Sequence, residues 1–344
     1  MLCGYGYADK SESLCNYKMK SKFERKVIKK ALRKIYRRTL SKWYADAKFW
    51  LRFHLNPQGL VSEKFHRILG YEIDWKHPKD INEKINWMKF NYSTSEWTRL
   101  ADKYQVREYV KERLGESVLT QLYGVWKKAE DIDFDKLPSK FVLKTNHAWG
   151  TVLPVLDKSK INVGETRKTL NKWLTIRFGY ETMEPHYLKI RPLIIAEEYL
   201  ENDAEFSSSI VDYKVWCFSG TPFCIMVCTD RIIEKHAVFS FFDTEWNALP
   251  VALSKEKMHE QIAIPRPKEL PMLLSYAQKL AQGHPQVRVD FYIVKGKAYF
   301  GEMTFTSNGG FMAYLSRDFS LKMGQLVKLP IDNDNKNVNY DSNI

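Results

Sequence analysis

VRVDFYIVKGKAYFGEMTFTSNGG, residues 287–310, is the stretch on which the reading of this chain turns. Two runs of apolar, β-branched and aromatic residues flank Lys295-Gly296-Lys297, which is the pattern of a β-hairpin. Asp290 and Glu302 stand equally far from Gly296. A three-residue turn therefore sets them opposite each other on one face of the sheet. A two-residue turn without a compensating bulge would send them to opposite faces. Carboxylates directly opposite repel, so a hairpin shaped by stability alone avoids them. A divalent cation removes that repulsion, and two hard oxygen donors suit Mg²⁺. Arg288 falls on the same face, opposite Thr304. Together with the following Asn308-Gly309-Gly310, these residues read as the phosphate end of a nucleotide site. The plain alternative is a pair of exposed acids, and the apolar flanks argue against an exposed polar face.

Outward from the hairpin, composition sets broad bounds. A chain of 344 residues has room for a large core and two or three lobes. It has no run of 18 uninterrupted apolar residues, so no membrane-spanning helix is expected. Its first residues, MLCGYGYADKSESLCNYK, lack the basic-then-apolar order of a secretory signal. Five cysteines (Cys3, Cys15, Cys217, Cys224 and Cys228) show no metal-ligand spacing. Cys224 and Cys228 fit one face of an apolar strand as buried thiols, and a reducing cytoplasm is the expected compartment.

The net charge of +13 is unevenly spread. Residues 18–42 hold twelve Lys and Arg against the single Glu24, so the remaining chain carries only about +2. A broadly basic, nucleic-acid-coating surface is excluded, and no nucleic acid partner is expected. Within this segment Phe23, Val27, Ile28, Ala31, Leu32, Ile35, Tyr36 and Leu40 recur near helical spacing. The pattern is a cationic amphipathic helix, which lies either on an anionic membrane surface or on its own domain. Met19 is a candidate true start.

The organisation expected from pattern is a variable stretch over 1–18, a basic helical region over 19–58, a helical region with a first lobe over 59–195, a second lobe over 196–330, and a polar tail over 331–344. Asn82 is a candidate cap for a helix near Glu83, and Gly115 ends a later one. Strands are expected in VLTQLYGVW, FVLKTNH, TVLPVLD, RPLIIAEEYL, DYKVWCFSG, TPFCIMVCTD and HAVFSFFDTEW. The acidic string AEDIDFDKLPSK reads as an exposed turn.

Three further positions carry chemistry. Lys144 is a lone charge on an apolar strand, just before a loop with His147 and Gly150. Such a charge needs a partner, and either an anion or water at the strand end provides one. The loop's backbone N–H groups can cover a phosphate, while His147 either contacts it or holds the loop. Glu197 and Glu198 end a second apolar strand. The backbone of Glu198, Tyr199 and Leu200 can offer an adenine edge one donor and one acceptor, and Glu205 can accept from ribose hydroxyls. Lys214 is another single charge within an apolar strand.

The order of these features resembles the ATP-grasp enzymes, and over about 101–310 it resembles the TupA-like ATP-grasp group of teichuronopeptide and surface-polysaccharide synthesis. The resemblance rests on RVDFYIVKGKAYFGEMT, FVLK with IIAEEYL, ADKYQVREYV, LPSKFVLKTNH, DYKVWCFSG, FFDTEW and GEMTF with its Gly-Gly. It implies an α+β fold of two lobes with mainly antiparallel sheets that clamp ATP, preceded by a helical region. It also implies that Arg107, Lys144 and the 146–151 loop meet ATP phosphates, that Glu197 to Leu200 read adenine, and that Glu205 reads ribose. Lys214 would serve the phosphate side, Asp290 and Glu302 would hold Mg²⁺, and Arg288 would stabilise developing charge. Asn308, Gly309 and Gly310 follow the metal strand and are the candidate substrate loop. Thr304 stands where many of these enzymes have Asn, and the Gly-rich lid is reduced to NHAWGT.

The implied activity is ATP-dependent ligation of a carboxylate to an amine, acting on a carboxylate-bearing sugar and an amine or amino acid, in the cytoplasm or on the inner face of the membrane. Two other classes compete with it. A glycosyltransferase could use the Asp-x-Asp of DIDFD, and a non-catalytic membrane adaptor could use the basic helix alone.

Overall fold

The structure, a computed structural model, describes residues 47–230, 237–254 and 264–330. The expected stretch over 1–18, the basic helix over 19–42 and the tail over 331–344 lie outside the described residues. Two compact units emerge, Met1–Leu60 and Val61–Ile344. In the first, residues 47–55 are helical. Everything that follows in this section concerns the second.

Among the described residues, nine strands form two antiparallel sheets. The first runs β1-β4-β2-β3, with β1 Leu122–Trp126, β2 Phe141–Thr145, β3 Val152–Val155 and β4 Ile194–Glu197. The second runs β7-β6-β5-β8-β9, with β5 Asp212–Phe218, β6 Thr221–Thr229, β7 Val238–Asp243, β8 Gln286–Val294 and β9 Lys297–Thr304. The α+β class and the seven expected strand segments are thus present, with the first reduced to Leu122–Trp126.

Period-two alternation explains the layers. In the first sheet Phe141, Leu143, Ile194 and Ala196 point into a core shared with Leu170 of the helix Val163–Leu174. Val142, Lys144, Ile195 and Glu197 therefore share the other face. In the second sheet Tyr213, Val215, Val287, Val289, Phe291 and Met303 join a larger core with the helix Leu270–Leu280. The helices Ile81–Asn91 and Val106–Leu114, placed with the first lobe by sequence order, belong to this same larger core. Asp80, rather than Asn82, caps Ile81–Asn91, in a capping box with Glu83. Gly115, at φ 86°, ends Val106–Leu114.

The hairpin reaches its register by another route than the expected three-residue turn. The turn has two residues, because Val294 pairs with Lys297. Lys295 and Gly296 both have positive φ, 51° and 72°, the type I′ geometry that matches strand twist. Taken alone, this turn would put Asp290 and Glu302 on opposite faces. A bulge beside Gly301 restores them, and Asp290 pairs directly with Glu302.

Candidate active site

The second sheet gathers its charges on one face because they sit two residues apart on neighbouring strands. Register sets Lys214 opposite Asp290, Asp290 opposite Glu302, and Arg288 opposite Thr304. Lys214 donates to Asp290 and lies 2.7 Å from Oδ2 of Asp212. Arg288 grips Asp290 with a two-pronged fork, Nε to Oδ1 and Nη2 to Oδ2, both at 2.7 Å. Its Nη2 also reaches Glu302 Oε1 and Thr304 Oγ1 at 3.1 Å, while Nη1 makes a longer 3.3 Å contact with Ser307 Oγ. Burial works against the charge of Arg288, but Asp290 and Glu302 more than offset it and hold its pKa above the ordinary value. Burial also raises the Asp290 carboxyl, against the opposing pull of Arg288 and Lys214.

These residues fit a divalent cation. Asp212, Asp290 and Glu302 face two cations, which leaves the patch with excess negative charge. Glu302 remains 32% exposed, so the pair is open on one side. Among the described residues, no group of three or more His, Cys, Asp or Glu side chains forms a cage. Asp290 and Glu302 are the residues that would hold Mg²⁺, an ion commonly bound through only one or two carboxylates.

The first sheet supplies cations. Lys144 lies 2.5 Å from Glu197 Oε2, and Arg107 Nη1 lies 3.1 Å from Oε1 of the same carboxylate. Arg107 Nη2 is fixed 2.6 Å from the Thr120 carbonyl. Opposite Lys144, Val152 is exposed on the same face. The 146–151 loop is pinned rather than loose. Asn146 bonds both ways to Leu193, its side chain reaches the Arg191 carbonyl at 3.1 Å, and the Thr145 and Thr151 hydroxyls are 2.7 Å apart. His147 donates from Nε2 to the Ile176 carbonyl at 3.0 Å and is kept neutral by burial, so its ring holds the loop. Gly150 is left-handed at φ 75°, next to the exposed Trp149.

Lys103 joins the two sets, and sequence reasoning passed over it in favour of Arg107. Its N–H donates to the Asn146 carbonyl at 3.1 Å and its ammonium to the Ala148 carbonyl at 2.9 Å. Burial lowers its pKa, while Glu302 and Glu197 raise it and Lys144 lowers it. One amine thus feels Glu302 of one sheet and the Lys144–Glu197 pair of the other. Tyr187 lies close as well, with its phenol pKa pushed well up by burial, Glu302 and Glu184.

Glu198, Tyr199 and Leu200 follow the end of β4, and the Glu198 N–H bonds the Gln121 carbonyl at 2.9 Å. Glu205 is exposed in a turn. A cavity of about 850 Å³ adjoins Arg107, Thr120 and Glu198. Neither Lys144 nor Glu302 lines it, so it lies beside the charged cleft. Asp133 of the DIDFD string caps its own turn and pairs with Lys136 in an exposed loop, as expected for a surface segment.

Beyond Thr304 the chain turns left-handed at Asn308, Gly309 and Gly310, with φ of 48°, 63° and 76°. Asn82, Asn86 and Lys89, on one face of Ile81–Asn91, hold this loop. They contact the Met312 N–H at 2.8 Å, the Gly310 carbonyl at 2.8 Å and the Gly309 carbonyl respectively. Lys89 also donates to the Thr182 carbonyl and Asn86 Oδ1, each at 2.8 Å, and burial lowers its pKa to about 7. Glu184 accepts from the hydroxyls of Thr182 and Thr306. The 82/86/89 spacing was a readable signal, whereas Glu184 comes from an irregular segment that gave none.

Several solved structures are similar to this chain at low identity. The D-alanine–D-alanine ligase of Bacillus anthracis is 14% identical, with 66% of this chain and 60% of that one covered at a TM-score of 0.37. The ATP-grasp ligase PsnB, solved with a minimal precursor, is 10% identical over 71% and 67%, at 0.39. Phosphoribosylamine–glycine ligase from Thermotoga maritima is 11% identical over 61% and 48%, at 0.37. The chain thus spans less than two thirds of the first of these structures. No curated protein sequence matches it. Residues 83–328, however, match the family described as TupA-like ATPgrasp, which is well over half the chain. The chain belongs to the TupA-like ATP-grasp family.

Proposed function

We propose that this chain is an ATP- and Mg²⁺-dependent carboxylate–amine ligase that modifies a bacterial surface polysaccharide or its precursor through an acyl phosphate. What supports this reading is the register that sets Lys214, Asp290, Glu302 and Arg288 on one face of the second sheet, together with Lys144 and Arg107 on the Glu197 carboxylate of the first. Buried charges concentrated on both sheets suit a polyphosphate better than they suit stability alone.

A carboxylate acylates poorly because oxide would have to leave. Transfer of the γ-phosphoryl group to it gives an acyl phosphate, from which phosphate departs when an amine attacks. Both steps build negative charge on oxygen, so the catalyst needs placed cations more than a nucleophile. Lys144, Lys103 and Arg107 would offset the phosphate charge. Asp290 and Glu302 would hold Mg²⁺, which would supply positive charge against the phosphates. With the Glu198 N–H already bonded, the Glu198 carbonyl and the Leu200 N–H would read the purine edge, with Glu205 at the ribose. Nη1 of Arg288, whose Ser307 contact is long, would meet the oxyanion formed when the amine attacks. Asn308, Gly309 and Gly310 would line the acceptor side.

The carboxylate would belong to a uronic acid and the amine to an amino acid, or the reverse. A screen of such acids and amines, read by ADP release, tests the reading. ADP that appears only when both partners are present supports it. Release of a nucleoside diphosphate from a sugar donor would sink it.

A further inference from the structure

The helix over 47–55, AKFWLRFHL, carries its apolar residues on the wrong side for a helix that only packs on protein. Ala47, Trp50, Leu51, His54 and Leu55 fall within about 140° of arc at 100° per residue. All five are exposed, and Trp50, Leu51 and Leu55 show 54%, 50% and 74% of their surfaces. Phe49, Arg52 and Phe53, on the other side, are half-buried. Scattered exposed leucines need no explanation, but a whole exposed helix face made of Trp, Leu and Leu does.

Charge identifies the occupant. Residues 18–42, just upstream, carry twelve Lys and Arg against the single Glu24, and Lys48 lies beside the apolar face. A second copy of the chain would bring the same positive charge to the contact and be repelled. An anionic lipid surface attracts the basic residues by about 1 kcal/mol each near the membrane and accepts Trp and Leu at its interface. Among the described residues no helix is long and apolar enough to cross a bilayer, so the contact is one of lying on the surface.

We propose that the 47–55 face inserts Trp50, Leu51 and Leu55 into an anionic membrane surface. The proposal is independent of the ligase reading. Its test is co-sedimentation of the full chain with vesicles of phosphatidylcholine alone or with one third phosphatidylglycerol. Wild type should pellet with the anionic vesicles only. Trp50→Ser/Leu51→Ser/Leu55→Ser, unchanged in melting temperature because the sites are exposed, should bind them at least about 30-fold more weakly. Leu55→Glu alone should weaken binding in the same direction. Equal binding by wild type and the triple variant would show that charge alone acts and would overturn the proposal. So would equal binding to neutral vesicles. A lipid-free dimer of wild type that the triple variant converts to monomer would assign the face to a second copy and overturn it as well.

Discussion

At the scale of single residues, Asp290 and Glu302 look alike in sequence but differ in what their loss should do. Asp290 is buried and holds both Arg288 and Lys214. Asp290→Asn removes the carboxylate that two buried cations share, leaving Lys214 with Asp212 and Arg288 with Glu302, and should cost about 1–3 kcal/mol of stability besides activity. Glu302→Gln, at a partly open position, should keep most of the stability and lose about 100-fold or more in kcat/KM. Thermal melts and ADP-release kinetics on the two variants separate these outcomes. Lys89 gives a pH test. Its folded pKa lies near 7, below the unfolded value of a lysine, so between about pH 7 and 10.4 the unfolded chain binds more protons. Below that window the cost of burying the charge is fully present, and it fades as pH rises. The stability of wild type relative to Lys89→Met should therefore increase from pH 7 to pH 10 in urea titrations. Lys103 shows why residue-scale reading falls short. In ADKYQVREYV nothing separates it from any surface lysine, and only packing of two sheets around it reveals its neighbours.

At the scale of elements, the hairpin was legible in its outcome and misread in its route. Alternation and equal distance from Gly296 pointed to Asp290 facing Glu302, and they do face each other. The turn itself depended on Lys295 taking a positive φ, a conformation that sequence gives little reason to expect from lysine. The extra residue had to go somewhere, and Gly301 absorbs it. A Cβ there would lie 3.1 Å from the Asp290 carbonyl oxygen and 3.2 Å from the Tyr292 ring. Gly301→Val should crowd the bulge, cost about 1–3 kcal/mol and tilt Glu302 away from Asp290. Its activity should fall more than its melting temperature, a split readable from kinetics and a thermal melt. The strands around Lys144, Glu197 and Lys214 were legible by their apolar runs. The spacing of Asn82, Asn86 and Lys89 on Ile81–Asn91 was there to be read, but polar residues on a helix normally signal solvent and it was passed over.

At the scale of the whole molecule, the order of the charged positions carried the resemblance that implied two antiparallel sheets, and both sheets are present among the described residues. Which helices pack with which sheet was not legible, since sequence adjacency put Ile81–Asn91 with the first lobe and burial put it in the larger core. Substrate identity lies in no single residue, and it is reached through products. Lys103→Met should weaken MgATP binding by about tenfold or more in calorimetry. The central claim is that a carboxylate passes through an acyl phosphate. Its most direct test is turnover of an ¹⁸O-labelled carboxylate, from the acid–amine pair that gives ADP, with mass analysis of the phosphate released. The account predicts one ¹⁸O atom in each phosphate formed alongside ADP. Unlabelled phosphate, or AMP in place of ADP, would contradict it.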